Sequence, residues 1–149
     1  MDHKQEARKL FLEGYNCSQA VIAAFSDVTG MDKKEALMLS SSFGGGMGQL
    51  GEVCGAVTGM FMAAGLLYGY HNPNNPELKQ NQYALIRKMA EKFKEKYPSL
   101  LCRDLLGYLK EKTYTLPDGA DVSVYEKRPC LIFVEYAAEI MDEIIKENQ

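Results

Sequence analysis

Residues 53–70 read VCGAVTGMFMAAGLLYGY, a stretch without a single charged residue. It is long enough to be weighed as a membrane span. Two small-xxx-small patterns lie inside it, Gly55-AVT-Gly59 and Gly65-LLY-Gly69. In a bilayer such spacing lets helices pair, and in a soluble core it lets backbones approach closely. The stretch lacks dense Leu and Ile and has no basic flanks, whereas the other helices read as amphipathic. It is therefore read as a central core helix over 52–68, with no membrane span.

Outward from it, the chain reads as helices. Residues 3–13 form a first helix with Ala7, Leu10 and Phe11 on one face, ended by Gly14. Asn16 caps a second helix over 17–29, and Asp32 with Glu35 caps a third. A long helix over 77–96 stops at Pro98. Ser99 caps a short one over 100–106, and Pro129 opens the last, running to Lys146. Thr113-YTL and Val122-SVY are strand-like, so a small β-hairpin or an irregular lid is expected near 107–128. The expected fold is all-α: a compact single domain over 1–149 built as an array of about six to seven helices.

Composition narrows the function. With 46% hydrophobic and 25% charged residues the chain is an ordinary globular one. A net charge of −3 without a basic block argues against nucleic acid. The opening MDHKQEARKL has no apolar stretch, so a cytoplasmic, reducing setting is expected. His3 and His71 are read as surface residues, and no paired carboxylates stand out.

Chemistry is then carried by Cys17, Cys54, Cys102 and Cys130, the only four cysteines. Their wide separation fits neither CxxC nor a paired-ligand zinc finger. Each is expected in the first turn of a helix, where free N–H groups and the helix dipole favour thiolate. Arg103 beside Cys102, and Lys127 and Arg128 near Cys130, push the same way. Cys54 is the preferred nucleophile, with Cys102 or Cys130 resolving. The Gly-rich Gly44-GGMG is expected to bring backbone close to Cys54 or between helices; a phosphate cradle is the rival reading, although no GKS or GKT follows. Gly44, Gly45, Gly46, Gly48, Gly55 and Gly59 are thus the candidate cofactor-binding positions.

Gly14-YNCSQAV, FGGGMG and Cys54-GAVTG, followed by single cysteines, resemble the bacterial four-cysteine redox-active family named for a CGAxxG motif. The resemblance covers essentially the whole chain and implies that Cys17, Cys54, Cys102 and Cys130 are the family's four cysteines. It also implies a link to transporters, since members are often encoded near transporter genes. Three functions follow. The first is thiol–disulfide exchange or electron transfer of an oxidoreductase-like kind, with an unidentified redox partner. The second is a metal or iron–sulfur site in which the same four cysteines hold zinc or a cluster. The third is a transporter-associated binding module with structural cysteines. A homo-oligomer is compatible with each.

Overall fold

The computed structural model describes residues 2–111, 114–117 and 119–149. The helices of six residues or more are His3–Leu12, Cys17–Ala24, Lys33–Ser40, Gly55–Tyr68, Pro76–Lys96, Cys102–Lys110, Val122–Lys127 and Leu131–Glu147. Single turns lie at Ser26–Thr29, Ser41–Phe43 and Gly44–Met47. The class is all-α, and among the described residues β structure is confined to one antiparallel bridge, Val53 with Leu101.

The uncharged stretch forms the central helix Gly55–Tyr68, and no helix of the described residues is long and apolar enough to cross a membrane. Ala56, Val57, Met60, Ala63 and Ala64 are all fully buried in it. Its glycines explain the packing against Cys17–Ala24. A Cβ at Gly59 would stand 2.9 Å from the Ser18 carbonyl oxygen and 2.9 Å from Val21 Cβ. One at Gly55 would stand 3.1 Å from Cys17 Cβ. Only hydrogen at these positions allows the two helices so close.

The last helix, Leu131–Glu147, buries Leu131, Phe133, Val134, Ala137, Met141 and Ile144 in the same core. The first helix is latched to it by a row of polar contacts. Lys4 pairs with Glu139 at 2.6 Å, and Arg8 approaches Glu135 at 3.5 Å. Glu135 is buried and accepts a very short hydrogen bond from the Tyr125 hydroxyl, which supplies the partner a buried carboxylate requires. The long helix Pro76–Lys96 is mostly solvated. It docks through Met89 and Phe93, while Lys88 and Lys92 reach Glu147 and Glu143 of the last helix.

Several expectations are corrected. The second helix stops at Ala24 rather than running to 29: Phe25 leaves helical geometry (φ −101°, ψ 11°), and a separate turn follows. His3 is not at the surface. It is 6% exposed, stacked on Phe25 at 4.2 Å, with Nδ1 2.6 Å from Asp142 and Nε2 2.9 Å from Asp27. Val122-SVY is helical, not a strand. The Asp121 carboxylate accepts from the Ser123 N–H, and Tyr125 turns inward to Glu135, while no strand among the described residues offers a ladder. In the other half, residues 114–116 are irregular rather than strand, while Thr113 and the expected turn residue Asp118 lie outside the described residues.

Candidate functional site: four thiols around the central helix start

Each cysteine is placed by its helix. Cys17 and Cys102 are first residues of Cys17–Ala24 and Cys102–Lys110, and Cys54 and Cys130 are N-caps of Gly55–Tyr68 and Leu131–Glu147. All four thiols are free, with Cys54 buried and the others half-buried. They share one electrostatic neighbourhood: Cys17 feels the charge of Cys54, Cys130 and Cys102, Cys54 that of Cys130 and Cys102, and Cys102 that of Cys130.

Within it two arrangements differ. Cys17 and Cys130 line one cleft, and each is the strongest influence on the other's acidity. Asn16 presents Cys17 through a reciprocal cap: its side-chain oxygen accepts from the Gln19 N–H at 3.0 Å, and Gln19 Oε1 accepts from the Asn16 N–H at 3.0 Å. Arg128 anchors the approach to Cys130. Its guanidinium lies 3.9 Å from the Phe11 ring centroid and donates to the Phe11 carbonyl at 2.9 Å. A cleft of about 250 Å³ opens onto both sulfurs, lined also by Phe11, Asn16, Lys127, Arg128 and Pro129.

Cys54 and Cys102 are set by backbone. The Cys54 N–H donates to the Leu100 carbonyl at 2.8 Å, and the Cys102 N–H donates to the Glu52 carbonyl at 2.6 Å. These bonds flank the Val53–Leu101 bridge, so the two cysteines project to the same side of it at diagonal positions. Diagonal Cα atoms are about 7–8 Å apart. A disulfide spans about 4.4–6.8 Å between Cα atoms, so joining them requires the backbone to move.

The pairing also explains where the short helix begins. Ser99 was expected to cap it, with Cys102 inside. Leu100 and Leu101 are instead extended toward residues 53 and 54, and the helix starts at Cys102 itself. Ser99 still serves the entry: its hydroxyl accepts from the Leu101 N–H and donates to Asp104.

Helix starts alone do not make four thiolates. Burial pushes Cys54 up to about 12, and the Val57 and Ala56 backbone N–H groups only partly oppose it. Cys102 is raised too, again by burial, then by the charge of Cys130. Arg103, expected to favour its thiolate, turns away to Glu52 at 3.4 Å. Cys17 is raised by Cys130 first and then by burial. Only Cys130 is lowered, by Cys17 first, against burial, with help from Arg128. Of the two, Cys130 is therefore the thiol that gives up its proton first.

The Gly-rich segment approaches Cys102 rather than Cys54. Gly45, Gly46, Met47, Gly48 and Gln49 all have positive φ, so five consecutive residues turn left-handed. The turn is closed by the Gly51 N–H to the Gly45 carbonyl and the Glu52 N–H to the Gly46 carbonyl. A Cβ on Gly46 would fall 2.6 Å from Cys102 Cβ and 2.7 Å from the Glu52 nitrogen. Gly44 abuts Asn16, where a Cβ would be 2.6 Å from Cγ. Gly55 backs Cys17, Gly59 packs on Ser18, and Gly45 and Gly48 serve the turn itself. These glycines shape protein–protein backbone contacts around the cysteines. Sequence reasoning missed Phe11 and Tyr15, whose carbonyls seat Arg128; no local pattern marks them.

Among the described residues no group of three or more His, Cys, Asp or Glu side chains is assembled to hold a metal ion.

No curated protein and no solved structure matches the chain. A family described as "Putative redox-active protein (C_GCAxxG_C_C)" matches residues 15–144. That span holds Cys17, Cys54, Cys102 and Cys130 in the order the description writes, with cysteine ahead of glycine in this chain's Cys54-Gly55-Ala56. Four cysteines gathered from four separate helix starts, in a match covering most of the molecule, place the chain in this C_GCAxxG_C_C family.

Proposed function

We propose that the protein carries out dithiol–disulfide exchange, with Cys130 as the attacking thiolate and Cys17 as the resolving thiol. One observation carries this: Cys17 and Cys130 face one open cleft from two converging helix starts, where each bears most strongly on the other's acidity and Cys130 is the one lowered. Attack needs a thiolate and access, and resolution needs a second sulfur within bonding reach. Cys130 takes the role that sequence reasoning assigned to Cys54, because Cys54 is 4% exposed and held protonated by burial.

The chemistry balances within the pair. Cys130 S⁻ attacks one sulfur of a disulfide R–S–S–R, forming Cys130–S–S–R and expelling RS⁻. With the Cys130 charge consumed, the influence that most strongly raises Cys17 is gone. Cys17 gives its proton to the departing thiolate and attacks Cys130 Sγ. A Cys17–Cys130 disulfide results, and the second RS⁻ leaves. Two electrons pass from the pair to the substrate, and a dithiol donor restores the starting state.

Trapping tests it. Reduced Cys17→Ser protein mixed with a small disulfide is expected to accumulate a one-to-one adduct at Cys130, found by mass spectrometry of the digest. Cys130→Ser is expected to form none, while Cys54→Ser still forms the Cys17–Cys130 disulfide. An adduct at Cys54, or an inert Cys54→Ser protein, overturns the assignment.

A further inference from the structure

The cleft over the Cys17–Cys130 pair has a one-sided charge. Lys127 and Arg128 line it and no carboxylate does. Arg128 is immobilised on Phe11, so its charge stays beside Cys130. Lys127 is exposed and makes no ion pair with a described carboxylate. Of the acids nearest in sequence, Asp121 caps its own helix and feels the Lys127 charge without pairing with it, and Glu126 lines a separate apolar pocket beyond Pro129. At about 250 Å³ the cleft admits a disulfide and the few atoms next to it, not a folded partner.

Resting on the dithiol reading above, we propose that this cleft selects disulfides bearing a carboxylate close to the sulfur, and that Lys127 supplies the selection. The choice runs against the field of the whole chain, whose net charge is −3. It therefore has to come from local cations. Arg128 is committed to orienting the approach to Cys130, which leaves Lys127 as the charge free to meet an incoming anion. The reaction is the exchange already written: the carboxylate is held beside Lys127 while Cys130 S⁻ attacks the adjoining sulfur, and Cys17 completes the transfer.

Three probes separate charge from reactivity. Pre-reduced protein is mixed in single turnover with 3,3′-dithiodipropionate (anionic), 2-hydroxyethyl disulfide (neutral) and cystamine (cationic). Each rate is divided by that of 2-mercaptoethanol with the same probe, which removes leaving-group differences and the charge of the attacking thiolate. The normalised anion-to-cation ratio is expected to exceed one by about three- to tenfold at low salt, and to shrink in 0.5 M salt. Lys127→Gln is expected to bring the ratio close to one. Lys88→Gln removes the same charge at the far end of the last helix, near Glu147, and is expected to leave the ratio within twofold of the parent. A ratio near one in the parent, or one unmoved by Lys127→Gln, overturns the inference while leaving the exchange intact. Failure of all three probes to oxidise Cys17 and Cys130 overturns the dithiol reading and this inference with it.

Discussion

Cys17 and Cys130 meet side chain to side chain, whereas Cys54 and Cys102 meet backbone to backbone. The first pair sits where two helix starts converge on a cleft, and its geometry leaves the sulfurs free to exchange a proton. The second sits astride a single β-bridge, with both N–H groups committed and a left-handed glycine turn pressed on Cys102. Both pairs occupy helix N-termini, so the dipole cannot be what separates them. Desolvation sets Cys54 apart, and the Cys17 neighbour sets Cys130 apart. A helix end contributes about 0.3–1 kcal/mol at an exposed site, and removing a thiolate from water outweighs that at Cys54.

The widest gap between the two pairs should appear in reactivity. At pH 7 iodoacetamide is expected to alkylate Cys130 first and Cys54 last, with rates differing roughly 100-fold or more, because only thiolate reacts. Peptide mapping of partly alkylated protein reads the order. Cys54 modified ahead of Cys130 would erase the distinction. Arg128→Gln sharpens it: the pH midpoint for Cys130 alkylation moves up, since one of the two influences lowering it is removed.

Stability toward alkali comes next. Cys54 holds its proton more tightly folded than unfolded, so its contribution is intact below the ordinary value of 9.0 and is lost as pH rises toward about 12. Melting curves across that window should fall by an amount on the order of a few kcal/mol. Cys54→Ala should flatten part of that decline. An unchanged slope in the variant would remove Cys54 from the account.

Smaller effects test the backbone that frames the second pair. Gly46→Ala places a Cβ against Cys102 and Glu52 at a left-handed φ of +70°. The cost should be about 1–3 kcal/mol, or a melting point lower by roughly 3–10 °C. Gly65→Ala has nothing within 4 Å and should instead gain about 0.5–1 kcal/mol in its helix. At the low end, Gln49 adopts φ +67° without being glycine. Gln49→Gly should therefore stabilise the turn by up to about 1 kcal/mol. A loss there would show that the Gln49 side chain holds the turn rather than straining it.

The residue pattern alone was enough for the helices, their apolar faces and the polar caps at Asn16 and Asp32, because these depend on neighbours within a turn or two of chain. It also marked the four cysteines and put each at a helix start, a local property of the residues just before it. Chain order said nothing about Cys17 lying against Cys130, about a bridge pulling residues 100–102 onto 52–54, or about Arg128 seated on the Phe11 and Tyr15 carbonyls. It could not rank the four thiols by acidity, since dipole and flanking charges can be read locally but burial cannot. Desolvation and sulfur–sulfur contact are sums over atoms far apart along the polymer, and only the packed helices bring those atoms together.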